Sequence, residues 1–121
     1  MSVYAIALVK IDDHVEYAKY VAGFMRTLPP YAGNCLSVDD SPRIIEGQWP
    51  YTRTVLLKFP NDDAFKQWYG SDAYQALVQH RFRGSTANFV VIRELQTPKR
   101  RLEERSDGEL SGIATDEDAK N

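Results

Sequence analysis

The run Val3-Tyr-Ala-Ile-Ala-Leu-Val-Lys-Ile11, closed by Asp12-Asp13 and followed by His14-Val-Glu16, decides how this chain is read. Its first part is rich in apolar and β-branched residues, as a strand requires. Asp13-x-x-Glu16 then has the spacing of a helix N-terminal capping box, with aspartate in place of the usual serine or threonine. A strand therefore feeds directly into a helix. From there Val15, Ala18, Val21, Ala22, Met25 and Leu28 recur at three- and four-residue spacing until Pro29-Pro30 stops the pattern. The spacing predicts an amphipathic helix that lays this stripe on a sheet.

Further along, Asn34–Val38 and Arg43–Glu46 flank the turn-forming Asp39-Asp40-Ser41-Pro42 and read as a hairpin. Thr54–Phe59 reads as another strand after the Gly47–Tyr51 loop. Pro60-Asn61 opens a second helical region: Asn61 suits the cap, Asp62 and Asp63 suit the positive helix end, and Phe65, Trp68 and Tyr69 share a face. Gly70-Ser71 interrupts it, and Ser71 caps a new helix carrying Tyr74, Leu77, Val78 and Arg81 at helical spacing. Arg81 and Arg83 fall near its negative end. Asn88–Leu95 is a β-branched last strand. The order β-α-β-β-α-β, with the second helix split, is the ferredoxin-like plan, an α+β fold with an antiparallel sheet.

The chain has 121 residues, of which 43% are hydrophobic and 26% charged, enough for one domain with a core. Residues 1–96 are read as that domain. They hold as many acids as bases, so the net charge of −2 comes from 97–121, a charged extension without aromatics beyond Pro98 and compatible with a short helix over Lys99–Arg105. Lys99-Arg100-Arg101 runs straight into Glu103-Glu104, which argues against nucleic-acid binding. No apolar run is long enough for a membrane helix, and no basic segment precedes Val3–Val9 as a secretory signal would need, so a cytoplasmic protein without membrane contact is expected. The single cysteine, Cys35, excludes an internal disulfide.

The first strand alternates Tyr4, Ile6 and Leu8 with Val3, Ala5, Ala7 and Val9, and the last alternates Phe89, Val91 and Leu95 with Val90 and Ile92. Both faces are apolar. Helices cover only one face of a ferredoxin-like sheet, so the other needs a partner. Two sheets packed face to face in a homodimer satisfy that need.

Gly47-Gln-Trp49, Arg53, Leu56-Leu-Lys-Phe-Pro60, Trp68-Tyr-Gly-Ser71-Asp-Ala-Tyr74-Gln-Ala-Leu77 and Arg81 form an ordered string. In these motifs the chain resembles the small bacterial proteins known as domain of unknown function 1330, members of the dimeric α/β-barrel superfamily, over about residues 3–95. It departs at Asp72, where a Ser-Pro-x-Tyr motif is expected, although aspartate at a first helical position keeps the cap logic. The resemblance implies the fold and the dimer but carries no agreed catalytic residues. The wider superfamily includes cofactor-free monooxygenases, muconolactone isomerases and haem-binding chlorite-degrading enzymes that use a pocket between sheet and helices. It implies a small-molecule pocket and leaves open whether the chain is an enzyme.

Several residues could serve such a pocket. His80 offers an imidazole, the side-chain type suited to acid/base work, and Arg81 and Arg83 beside it could hold an anion; equally, a histidine late in a helix complements the helix dipole. Trp49, Trp68, Tyr69 and Tyr74 could line an aromatic site or pack in core and dimer seam. Arg53 could bind a carboxylate or pair with Glu46 or an acid across the dimer. The ligand-binding candidates are thus Trp49, Arg53, Trp68, Tyr74, His80 and Arg81, with His80, Tyr74 and Trp68 as catalytic candidates. His14 with Asp12, Asp13 and Glu16 invites a metal reading, but acids belong in a first helical turn anyway. No metal is expected. Cys35 has no basic neighbour in sequence and reads as a packing residue. A glycine-rich phosphate loop, a Gly-x-Ser-x-Gly elbow and a c-type haem motif are all missing, so no cofactor is expected, although axial haem ligation by His80 stays open.

Overall fold

In the computed structural model, which describes residues 1–96, strand β1 (Val3–Ile11) leads through Asp12-Asp13 into helix α1 (His14–Phe24). The charged extension 97–121, with the helix expected around Lys99–Arg105, lies outside the described residues. Asp13 caps α1: its carboxylate accepts hydrogen bonds from the backbone N–H groups of Val15 and Glu16, both at 3.1 Å, satisfying two donors that a helix start leaves free. Glu16 does not complete the expected capping box. It turns instead to a later helix.

The buried face of α1 also differs from the expected stripe. Tyr17, Tyr20 and Gly23 are buried, whereas Val15 is 74% and Met25 59% exposed. Tyr17, Tyr20 and Phe24 satisfy the same three- and four-residue spacing, and tyrosine buries more surface than valine when its hydroxyl finds a partner. Gly23 lets another helix close in, since a Cβ there would stand 2.9 Å from Leu77 Cδ1. After α1, the turns Met25–Thr27 and Pro29–Tyr31 bring Leu28 into the core.

Strands β2 (Asn34–Asp39) and β3 (Arg53–Phe59) follow, then helices α2 (Asp62–Tyr69) and α3 (Asp72–Gly84) and strand β4 (Ser85–Arg93). The sheet order is β2-β3-β1-β4, antiparallel throughout. This is the expected ferredoxin-like architecture. The hairpin is not as expected: β2 pairs with β3, from Asn34↔Lys58 to Asp39↔Thr54, and Arg43–Glu46 forms no strand. β3 offers Val55, Leu57 and Phe59 on alternate positions of one face, all buried. Arg43–Glu46 offers only the adjacent Ile44 and Ile45, which a strand would send to opposite faces. Asp39–Pro42 therefore starts a loop that reaches to Thr52. β4 begins at Ser85, three residues earlier than expected, and ends at Arg93.

Asn61 and Ser71 cap α2 and α3 as expected, accepting from the N–H groups of Ala64 at 2.8 Å and Tyr74 at 3.2 Å. The helices cover the face bearing Val3, Ala5 and Val9, and Trp68, Tyr74, Phe59, Leu57, Val9 and Val78 are fully buried there. Each such side chain contributes roughly 1.5–3 kcal/mol through lost apolar surface. The opposite face carries Tyr4, Ile6 and Leu8 flanked by Leu56, Val90 and Ile92, with Val90 53% and Ile92 49% exposed. No described element covers it. No helix among the described residues is long and apolar enough to cross a membrane.

Candidate functional site

Between α1 and the helix-covered face of the sheet lies an open cavity of about 190 Å³. Its floor is Ala7 and Val9 of β1, Val55 and Leu57 of β3 and Phe89 of β4. Its walls are Tyr17, Tyr20 and Phe24 of α1, Trp68 of α2, and Tyr74 and Arg81 of α3. Val21 on α1, Met25 in the turn that follows it and Val38 on β2 form part of the lining while standing half-exposed, so they mark the mouth. Hence two residues of the expected stripe, Val21 and Met25, stand at the rim of the cavity instead of in the core.

The inner wall is aromatic. The Trp68 and Tyr74 rings stand 4.1 Å apart between centroids, and Phe24 and Phe89 meet Trp68 edge-on. Trp68 donates its indole N–H to Thr27 Oγ1 at 2.9 Å. The hydroxyls of Tyr20 and Tyr74 lie 2.8 Å apart and share one hydrogen bond. Burial pushes the phenols of Tyr20, Tyr74 and Tyr17 above their ordinary value, so at neutral pH they act as hydrogen-bond donors and not as bases.

Two cations reach the wall, and their circumstances differ. Arg53 grips Asp40 with both arms, Nε to Oδ1 at 2.6 Å and Nη2 to Oδ2 at 2.9 Å, and its guanidinium sits 5.5 Å over the Tyr17 ring. That fork holds the start of the 40–52 loop against β3. Asp40 consequently stays below its usual range, chiefly through the hydrogen bond from Arg53. Arg81 is 6% exposed and lies among the rings of Phe82, Tyr20 and Phe89 at 5.2, 5.7 and 5.8 Å. Burial opposes its charge, but the nearby oxygens of Tyr74, Tyr20 and Tyr69 outweigh that effect and keep it protonated. Among the described residues no carboxylate lies within ion-pair distance of it.

Four of the expected site residues, Arg53, Trp68, Tyr74 and Arg81, therefore share one cavity, and two do not reach it. Trp49 lies in the 40–52 loop, donating to Thr54 Oγ1 at 2.9 Å and packing edge-on against Tyr51. His80 stands on the seam between α1 and α3. Its Nδ1 lies 2.7 Å from Glu16 Oε2, and Arg83 Nε donates to the same oxygen at 3.0 Å. A carboxylate only accepts, so Nδ1 carries the hydrogen and the 3.1 Å approach of Arg83 Nη2 to it is a contact without a hydrogen bond. With His80 first among the causes, then Arg83 and Lys19, Glu16 is held down to about 2.

Sequence reasoning missed Tyr17, Tyr20 and Phe24 because the expected stripe was counted in aliphatic residues and methionine and left the aromatic ones out. Cys35 is half-buried, pairs with Leu57 on the helix side of the sheet, and has its thiol pushed up by burial. Among the described residues no three histidine, cysteine, aspartate or glutamate side chains gather into a metal-binding set.

Solved structures share this fold at low identity. A protein of unknown function from Rhodopseudomonas palustris is 14% identical, with 79% of this chain and 84% of that one covered and a TM-score of 0.66. A dimeric ferredoxin-like protein of unknown function from Jannaschia sp. is 11% identical, covering 78% of this chain and 100% of its own, with a TM-score of 0.59. SnoaB, a cofactor-independent oxygenase from Streptomyces nogalater, is 13% identical over 81% of this chain and 97% of its own, with a TM-score of 0.53. No curated protein matches the sequence. Residues 2–95 match as a whole the family described as domain of unknown function (DUF1330), and the chain belongs to that family.

Proposed function

We propose that this protein is a homodimer, joined through the uncovered sheet face, that binds a small, mainly apolar molecule in the cavity beneath α1. The observation that carries the reading is the cavity itself: an aromatic pocket whose rim is built from exposed Val21, Met25 and Val38. A folded chain gains nothing by leaving such apolar surface open, whereas a ligand covers it. The apolar strip of Tyr4, Ile6, Leu8, Leu56, Val90 and Ile92 supports the dimer, as do ferredoxin-like relatives described as dimeric.

Native mass spectrometry of freshly purified protein tests both parts. A dimer carrying extra small-molecule mass, with Val90→Asp shifting the protein to a folded monomer, is expected. A wild-type monomer would refute the assembly. A dimer that neither retains a small molecule nor is stabilised by any member of a panel of planar aromatic compounds would refute the pocket.

A second reading is a cofactor-independent monooxygenase or isomerase acting on an aromatic or enol-like substrate. It is favoured by Arg81 and the Tyr20–Tyr74 pair, which supply a cation and a donor for a developing enolate oxygen. In it His80 acts from outside the cavity wall, by holding α1 against α3, and no lining residue is an ordinary base near neutrality. The substrate would therefore have to arrive as an easily ionised enol or phenol. Oxygen consumption or isomerisation with enolisable aromatic substrates, absent in Tyr74→Phe, distinguishes this reading from simple binding.

A further inference from the structure

We infer that the cavity is selective for a planar aromatic anion, a carboxylate or an ionised phenol or enol, whose charged oxygen pairs with Arg81 while its ring lies against Phe24 and Phe89. The inference rests on the cavity being a ligand site and specifies what enters it.

Four observations converge. Arg81 is buried at 6% exposure, lines the cavity, and has no carboxylate partner among the described residues. A buried guanidinium that meets ring faces and the Tyr74 hydroxyl but, among the described residues, no carboxylate is an incomplete arrangement, because rings and a neutral phenol replace little of the hydration that a charge loses. Arg53, the other cation on the wall, already has its charge paired by the two-armed contact with Asp40. An incoming anion therefore gains most at Arg81.

The hydroxyl pair supplies the third observation. Tyr20 and Tyr74 carry two hydroxyl hydrogens between them, and their 2.8 Å contact uses one. The other is free to be donated to a ligand oxygen beside the guanidinium. The fourth is the shape and size of the remaining wall: the part-exposed rings of Phe24 and Phe89, backed by the buried rings of Trp68 and Tyr74, and a volume of about 190 Å³ suit a flat molecule of one ring or two fused rings. A neutral apolar ligand would use the rings and leave Arg81 unpaired.

The test uses the full chain and a nitronaphthol, a bicyclic phenol whose ionised form absorbs visible light. At a pH equal to the free dye's midpoint, protein is added and the phenolate band followed. Burial in an apolar cavity alone favours the neutral phenol, whereas a facing guanidinium favours the phenolate, so the sign of the change decides. Expected is a rise in the band, with the bound dye's midpoint lowered by about one pH unit or more, equivalent to a tenfold preference for the anion. Arg81→Met, which keeps side-chain length and removes the charge, is expected to retain binding and reverse the sign.

Should Arg81→Met fail to fold, Val21→Trp at the exposed rim obstructs the mouth with an unchanged melting temperature and is expected to abolish the response. A dye that binds with a fading phenolate band would overturn the anion assignment and leave the pocket intact. A dye that does not bind at all would overturn the pocket reading, and this inference with it. A response unaltered in Val21→Trp would place the dye elsewhere and overturn the assignment too.

Discussion

Gly84 closes α3 at the point where α1 begins, and Gly84→Ala tests how tightly these two helices are clamped. The Gly84 carbonyl accepts the N–H groups of Asp12 at 2.8 Å and Asp13 at 3.0 Å. A Cβ at Gly84 would stand 2.9 Å from Tyr17 N, 3.1 Å from Asp13 O and 3.3 Å from Glu16 Cβ. Two of these are backbone atoms, so no flexible side chain can yield. The first turn of α1 must retreat by a few tenths of an ångström, against both hydrogen bonds to Gly84 and the Glu16 contacts with His80 and Arg83.

Overpacking of this kind costs about 1–3 kcal/mol, and loss of one of the two hydrogen bonds adds about 1 kcal/mol. Alanine recovers about 1 kcal/mol over glycine at a helical position. The net loss is about 1–3 kcal/mol, equivalent to a melting temperature lower by roughly 5–15 °C for a domain of this size. Urea unfolding followed by circular dichroism at one fixed protein concentration measures it, with an unchanged slope confirming that only stability moved. Gly70→Ala is the comparison, because its Cβ would meet only Lys66 O, at 3.3 Å; a change within about 1 kcal/mol is expected there. If Gly84→Ala were as stable as wild type, the tight clamp inferred from these distances would be wrong.

Glu16 makes stability depend on acidity. Its carboxyl is held at about 2 against an ordinary 4.5, so its contribution is fully present above pH 4.5 and lost as pH falls toward 2. Melting temperatures of Glu16→Gln and wild type should accordingly differ at neutral pH and converge across that window; a gap independent of pH would contradict the assignment. Tyr20→Phe removes one partner of the buried hydroxyl pair and is expected to cost about 1 kcal/mol in a urea titration, a neutral result indicating that the bond contributes nothing. Asp40→Asn loosens the grip on Arg53, and because Asp40 is largely exposed the expected loss is under about 1 kcal/mol. That loss should disappear below the aspartate's lowered titration, as seen by repeating the melts in acid.

Local chemistry made much of the fold legible. Strand one, the caps at Asp13, Asn61 and Ser71 and the break at Gly70 each depend on residues within a few positions, and all stand where their patterns put them. Partner choice was not local: Asp39–Pro42 looked like a hairpin turn because nothing nearby reveals that β3, fourteen residues past Asp39, offers the better alternating face. The lining of the candidate cavity was legible by residue type and illegible by direction. Trp68, Tyr74, Arg53 and Arg81 are aromatic or cationic side chains that meet in one cavity. His80 drew attention through its neighbours in sequence, yet one helical step turns it away from Arg81 and toward Glu16. Nor does any sequence pattern state that Arg53 has an acid to hold while Arg81 has none among the described residues.

The position of β1 between β3 and β4 bears on how this chain comes into being. Its first strand pairs with its last over nearly their full lengths, from Val3↔Arg93 to Ile11↔Ser85. A nascent chain emerging from the ribosome cannot complete the sheet in the order it is made; until Ser85–Arg93 is released, β1 presents an open backbone edge, the kind that invites pairing with another chain. Closure then joins segments separated by most of the domain, which makes the final step slow relative to helix formation. The period between synthesis of the first strand and arrival of the last is thus the protein's window of vulnerability to misassembly, and a message truncated before Ser85 would leave that window open.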